Sequence, residues 1–275
     1  MSMNPGGISS SIITAAAGVA GSVSARAVLA YFDAVADPAA LRNAVPGDIE
    51  VIFICRSADE AAAASEVSPK IVTVPAFELT RMDQIKMATL LAFSQGLLKG
   101  GDVFVFLVGV TGRGVDTMVV MRVGDEFELF QSVGQPKLTE HIRRPVFERV
   151  LTLCLELGHE GREGKPVGAL FVIGDHANVD RHCQIGRINP FRGYTEKQRN
   201  ILDDSMRDTV KELAKLDGAF VLKGNGVIIS AGTTLHATLP AEMSLPGLGA
   251  RHAAAAAITA CTQSVAVSLS ESTGT

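Results

Sequence analysis

Short apolar runs recur along the whole chain: Glu50 to Cys55, Lys70 to Pro75, Asp102 to Val110, Thr117 to Val123, Gly168 to Ile173, Ala219 to Leu222, Val227 to Ser230 and Ser264 to Ser270. Runs of this length, bounded by Gly, Pro, Asp or Asn, read as buried strands. Helix-patterned segments separate many of them. Ala25 to Val35 is one. Ser57 to Ser65 is alanine-rich, with Ser57 placed as N-cap. Arg81 to Leu98 carries Ile85, Ala88, Leu91 and Phe93 at helical spacing and meets Gly100-Gly101 as a stop. Thr139 to Leu157, Thr195 to Leu216 and the alanine-rich Leu248 to Thr259 complete the set. Strands alternating with helices predict an α/β fold, sheets covered by helices.

Gly134 and Pro136 break the pattern in a linker, Ser132 to Leu138, which predicts two domains, 1–134 and 138–275. In the second, Lys223-Gly224-Asn225-Gly226 is a hairpin signal between two strands, and Gly158 to Pro166 is a charged, glycine-rich loop. With 47% hydrophobic and 20% charged residues among 275, the chain can bury two cores. A net charge of -4 argues against a broad nucleic-acid interface, which needs an extended basic surface, but leaves room for a nucleotide pocket. Cys55, Cys154, Cys183 and Cys261 show no zinc spacing and read as reduced, mostly buried thiols of a cytoplasmic protein. No basic segment precedes the small, mildly apolar run Ser11 to Ala25, which reads as a flexible leader running into a core-facing helix rather than an export signal. No run reaches membrane-spanning length, so no membrane partner is expected.

The common phosphate loops are absent. Gly164-Lys165 is followed by Pro166 where a P-loop needs Ser or Thr, and Gly112-Arg113-Gly114 lacks the third glycine of a dinucleotide fingerprint. Three other places carry chemistry. Asp217-Gly218-Ala219 puts a carboxylate between a helix and a strand. It reads as an ordinary turn or as a ligand for Mg²⁺ or Mn²⁺, hard ions that prefer oxygen. Gly249-Ala250-Arg251-His252 follows Gly247-Leu248 and opens a helix. There, backbone amides, a guanidinium and an imidazole suit a phosphate, though an isolated Arg is more simply a surface charge. Ser268 to Gly274 is a polar tail or a phosphate nest.

Taken in order, these motifs resemble the diadenylate cyclase domain. The resemblance runs from Phe171-Val172-Ile173-Gly174-Asp175 through Asn189-Pro190-Phe191-Arg192-Gly193, Asp217-Gly218-Ala219, Gly226 to Ser230 with Ala231-Gly232, and Gly249-Ala250-Arg251-His252, to Ser270-Glu271. It implies a nucleotidyltransferase that joins two ATP into cyclic di-AMP with release of two pyrophosphates, using Mn²⁺ or Mg²⁺. Asp217 would bind the metal and, with Arg251 and His252, form the catalytic set. Gly218, Ala219, Leu235, Gly249, Arg251, His252, Ser270 and Glu271 would contact ATP, with Lys223 to Gly226 and Leu235 flanking the adenine. One domain holds one ATP, so two must meet face to face in a homodimer or larger homo-oligomer. Residues 1–134, with Gly101-Asp102 before a Val/Phe strand and Gly109-Val110-Thr111 after it, resemble the C-terminal domain of pyruvate kinases. One soluble, archaeal-type class of diadenylate cyclases pairs such a domain with the cyclase. The implied fold is a mixed sheet flanked by helices behind this N-terminal α/β domain, a candidate for oligomerisation or regulation.

The chain departs from the family pattern at three positions. Ala253 stands where a second Arg is common, Ala250 where a Thr is common, and Leu216 where some members have a metal-binding His. An alternative follows from Ala253: a weak or inactive module that binds ATP or cyclic di-AMP. Asp175-His176 with Asp180 and His182 lies in a strand-to-helix loop and reads as scaffold rather than as a metal cluster.

Overall fold

The computed structural model describes residues 5–76, 80–124, 142–161, 167–186, 188–214, 216–238 and 249–270. The chain divides into two compact units, Met1–Gln135 and Pro136–Thr275. The expected linker at 132–138 and the loop residues 162–166 lie outside the described residues.

In the first unit α1 (Pro5–Ser22) leads into β1 (Ala27–Tyr31), α2 (Pro38–Ala44), β2 (Glu50–Cys55), α3 (Ala58–Ser65), β3 (Ile71–Thr73), α4 (Arg81–Ser94), β4 (Val103–Val110) and β5 (Gly114–Arg122). The sheet order is β3-β2-β1-β4-β5, with β5 alone antiparallel to its neighbour. Two expectations give way here. The segment predicted as a helix at Ala25 to Val35 is the central strand β1, paired in register with β2 on one side and β4 on the other, all five residues buried. Its two alanines favour a helix locally, but pairing on both flanks outweighs that preference. The expected leader is instead helix α1. Of its hydroxyls, Ser11 Oγ and Thr14 Oγ1 bond inside the helix, donating to Gly7 O at 2.9 Å and to Ser10 O at 3.0 Å, while Ser9 Oγ accepts from the Val115 amide of β5 at 3.1 Å. Ala16 and Ala20, both at 0% exposure, let it lie close on β4 and β5.

Ser57 caps α3 as expected, its Oγ accepting from the Glu60 amide at 3.1 Å. Helix α4 ends at Ser94, before the expected Gly100-Gly101 stop. Gly96 at φ +70 turns the chain, and the Leu97 amide returns to Ala92 O at 2.9 Å.

The second unit runs α5 (Arg144–Glu160), β6 (Ala169–Ile173), α6 (His176–Val179), β7 (Cys183–Gln184), α7 (Met206–Leu213), β8 (Ala219–Leu222), β9 (Ile228–Leu235), α8 (Ala250–Cys261) and β10 (Val265–Leu269). The order is β10-β6-β8-β9-β7; only β6 and β8 pair in parallel. Successive strand residues alternate between faces. Leu170, Val172, Ala219 and Val221 form a core with Val179 and with Ile258 of α8. On the other face Phe171 stacks on Phe220, with ring centroids 4.8 Å apart.

The helix expected from Thr195 to Leu216 is broken. A 3-10 turn at Lys197–Arg199 is followed by an isolated bridge, Asn200 to Val227, and α7 starts only at Met206. The Ile201 amide is spent on Gly226 O at 2.9 Å, so it cannot serve a helix. Helix α7 is held to α5 by the buried Glu156, which accepts from Arg207 Nε at 2.7 Å and lies 3.5 Å from Lys211 Nζ. The start of α5 moves to Arg144 because Pro145 fits the first helical turn while Arg143 before it is extended.

Candidate active site

Strand register decides which predicted site residues share an edge. Strands β6 and β8 run together, Phe171 opposite Phe220, so Ala169 and Gly218 mark the same end. Strand β10 runs against β6, and Leu269 pairs with Ala169, which brings Ser270 to that end. Strand β9 runs against β8, and Ala219 pairs with Thr233, which brings Leu235 beside Asp217. Helix α8 begins there too: the Arg251 guanidinium is 3.8 Å from Asp217 Oδ1. Asp217, Gly218, Ala219, Leu235, Arg251 and Ser270 therefore lie along one edge of the sheet. Gly249 and His252 sit at the same helix start, Gly249 as N-cap and His252 one residue after Arg251. Glu271 and Gly247-Leu248 lie outside the described residues.

Asp217 lies in the turn just before β8. Its side chain is fully exposed, at 102% of the reference, while Arg251 is 27% exposed. Its Oδ1 accepts from the Gly218 amide at 3.1 Å. That bond fixes the carboxylate at the strand start without covering it. No set of three His, Cys, Asp or Glu side chains among the described residues could hold a metal ion. One open carboxylate next to a guanidinium fits instead a divalent ion whose remaining ligands are phosphate oxygens and water.

Gly218 was expected to let a ligand approach its backbone. The structure gives it another constraint. At φ +108, a Cβ here would meet Gly232 C at 2.6 Å and Thr233 N at 2.8 Å. Gly232, at φ +65, faces back on Asp217 O. The glycine pair thus lets β8 and β9 close on each other behind the carboxylate. Sequence reasoning quoted Ala231-Gly232 but missed this partnership; its signal is a Gly in the strand that must pair with the Asp-Gly turn.

Lys223 to Gly226 do not flank this edge. They form the hairpin at the opposite end of β8, so the expectation that they border the adenine is corrected by the strand's direction. Asn189-Pro190-Phe191 proves to be a buttress. Asn189 Nδ2 donates to Ile229 O at 2.9 Å, its Oδ1 accepts from the Phe191 amide at 3.1 Å, and buried Phe191 packs near Phe220. Asp175 is also committed: Asn178 Nδ2 and the Gln263 amide each donate to it at 2.8 Å.

The model of the nucleotide-binding domain of the DisA bacterial checkpoint controller matches residues 156–275, a stretch containing every residue just placed there. A diadenylate cyclase of Haloferax volcanii is 34% identical over 195 residues, covering 70% of this chain and 70% of that protein. The chain belongs to the diadenylate cyclase family. A second diadenylate cyclase, from Methanocaldococcus jannaschii, is 34% identical over 192 residues; the match takes in 66% of this chain and 59% of that relative's length. Residues 9–130 match a domain described as the probable sensor domain DacZ_P, so this family member joins a cyclase-type unit to a sensor-like one. No helix among the described residues is long and apolar enough to cross a membrane.

Proposed function

We propose that the chain condenses two ATP into cyclic di-AMP and releases two pyrophosphates. The observation that carries this reading is the open Asp217 carboxylate with the Arg251 guanidinium 3.8 Å away on an edge shared with Leu235 and Ser270. Such an arrangement sets an exposed acid beside a part-buried cation, which suits a metal-bound triphosphate. Arg251 and His252 bind the phosphates, with Gly249, Ser270 and Glu271 around them. Gly218 and Ala219 present backbone to the nucleotide, and Leu235 packs on the base. Asp217 holds the divalent ion, Mn²⁺ or Mg²⁺, which when bound offsets phosphate charge and favours loss of the 3′-hydroxyl proton.

Each ribose 3′-oxygen forms a bond to the α-phosphorus of the opposite ATP. The bond from that phosphorus to the bridging oxygen breaks, and pyrophosphate leaves with its electron pair. The hydroxyl proton passes to solvent. Two such steps close the ring. Positioning and charge stabilisation carry the catalysis. Because each domain presents one carboxylate and one helix start, two copies face each other across a two-fold axis, in a homodimer or larger homo-oligomer. The setting is cytoplasmic, where ATP and Mg²⁺ coexist.

Ala253 supports a second reading, a module that binds ATP or cyclic di-AMP without turnover, because a cation common in the family is missing there. Incubation with ATP and Mn²⁺, with cyclic di-AMP followed by chromatography at several protein concentrations, separates the two. Product whose specific rate rises with concentration supports the cyclase. ATP binding without product at any concentration supports the module.

A further inference from the structure

The edge opposite Asp217 carries a cavity of about 330 Å³ whose walls include Gly174, Asp175, His176, Lys223, Asn225 and Gln263. It lies where β6 and β8, the parallel pair, both end. Crevices outside the carboxyl ends of parallel strands are common ligand positions in α/β sheets, and this volume suits a small ligand.

The walls are shaped rather than merely polar. Gly174 at φ +81 and Asp175 at φ +42 turn the chain sharply out of β6, and left-handed backbone is unusual for a residue with a side chain. Asp175 is pinned in that conformation by Asn178 and by the Gln263 amide, one donor on each carboxylate oxygen. The groups left to face it are mostly donors: the Lys223 ammonium, the His176 ring, and the amides of Asn225 and Gln263.

Glu196 is the present counterion. It accepts from Lys223 Nζ at 2.5 Å and is itself 53% exposed. The Lys223 hydrogen bond, with further attraction from Arg199 and His176, holds its carboxyl below the usual range. Lys223, Arg199 and His176 are thus the basic side chains around Glu196, with Asp175 as the second carboxylate on the cavity wall. Exposed ion pairs of this kind are weak, so an incoming anion can exchange for Glu196 at small cost.

We propose that this cavity is an anion site for a small phosphate-bearing ligand, with Lys223 and His176 as its principal contacts. Its position gives the site a structural link to the other edge. Strand β8 starts at Ala219, two residues after Asp217, and ends against Lys223. Helix α8 starts at Ala250, beside Arg251, and after twelve residues and about 18 Å ends at Cys261, two residues before Gln263.

Calorimetric titration of inorganic phosphate into the full chain carrying Arg251→Ala tests the site with the other edge disabled. Saturable binding at millimolar concentration is expected. Adding Lys223→Met should weaken it roughly tenfold, and Lys223→Arg should restore most of it; His176→Ala should weaken it by a smaller factor. Parallel titrations with AMP and pyrophosphate identify the source: tighter binding than inorganic phosphate assigns the group to a nucleotide or a diphosphate, equal binding to the free anion, and each supports the site. Absence of saturable binding in the Arg251→Ala protein overturns the proposal. So does binding that Lys223→Met and His176→Ala leave unchanged. The cyclic di-AMP assay plays no part in this readout, so the two readings fail separately.

Discussion

Asp33 in the N-terminal unit and Asp217 in the C-terminal unit each stand beside a strand of a five-stranded sheet, and each faces an arginine. Asp33 is 11% exposed and paired closely with Arg56, which is 16% exposed. Arg56 also donates to Thr111 at 3.1 Å and Gln84 at 3.2 Å, and its guanidinium lies 4.3 Å over the Tyr31 ring. Thr111 Oγ1 adds a bond to Asp33 at 2.8 Å. Four chain segments that end near one another use their polar groups on each other. Asp217 and Arg251 are further apart, and the carboxylate is open to water while the guanidinium is part-buried. The same two residue types thus make a close, buried tie in one sheet and a wider pair with an exposed carboxylate in the other. The difference is burial: Asp33 and Arg56 are both largely withdrawn from water, whereas the Asp217 carboxylate is fully exposed and can exchange partners cheaply.

The largest effect expected from breaking this contrast is at Asp217. Asp217→Asn should lower cyclic di-AMP formation by roughly 10³-fold or more and leave stability within about 0.5 kcal/mol. Turnover and circular dichroism on the same sample check both halves; retained turnover would remove the site.

At the buried pair the opposite outcome is expected. Arg56→Met leaves Asp33 desolvated and should cost the N-terminal unit about 3–5 kcal/mol, read from its denaturation midpoint. A loss below about 1 kcal/mol would show that Asp33 and Arg56 are no more tied than Asp217 and Arg251.

Gly218→Ala sharpens the comparison within the C-terminal unit. The added methyl is driven onto the Gly232-Thr233 backbone at a φ that only glycine accepts readily, a cost of about 2–4 kcal/mol. Gly232→Ala, whose methyl would stand 3.5 Å from Asp217 O, should cost about 1–2 kcal/mol. Equal losses would mean that strand contact is not what selects Gly218.

The smallest effect concerns one buried thiol in each unit. Burial pushes Cys55 and Cys154 from their ordinary 9.0 up to about 12, Glu60 and Asp33 adding to the shift at Cys55. Both thiols stay protonated when folded, so their contribution is intact below the unfolded value and is lost as pH rises from about 9.0 towards about 12. Denaturation at rising alkaline pH should show that loss, reduced in Cys55→Ala and Cys154→Ala. Cys261 is exposed and Cys183 half-buried; the expectation of mostly buried thiols therefore holds for two of the four. Labelling of the folded protein should mark Cys261 first. Early labelling of Cys55 or Cys154 would contradict their burial.

Several strands and the short helix α3 were legible because their signals are local. Glu50 to Cys55 and Ala219 to Leu222 are continuous apolar runs, and Ser57 supplies its own cap. Strand β1 was not legible. Ala27-Val28-Leu29-Ala30-Tyr31 suits either a buried strand or a buried helix, and only pairing on both sides decides between them. The Thr195 to Leu216 segment misled for a related reason, since the bridge at Asn200 depends on where Val227 lies. The Asp-Gly turn and the Arg-His pair were visible as motifs in the sequence, but their distance apart was not.

By itself the sequence determined the α/β class, the chemical types at the candidate site and the likeness to diadenylate cyclases, because periodicity, turn chemistry and motif order are written in neighbouring residues. Only the tertiary structure decided that Asp217 and Arg251 share an edge, that Gly218 serves strand closure, and that Lys223 stands at the other end. Those facts follow from strand direction and register, which long-range pairing sets and no local stretch contains.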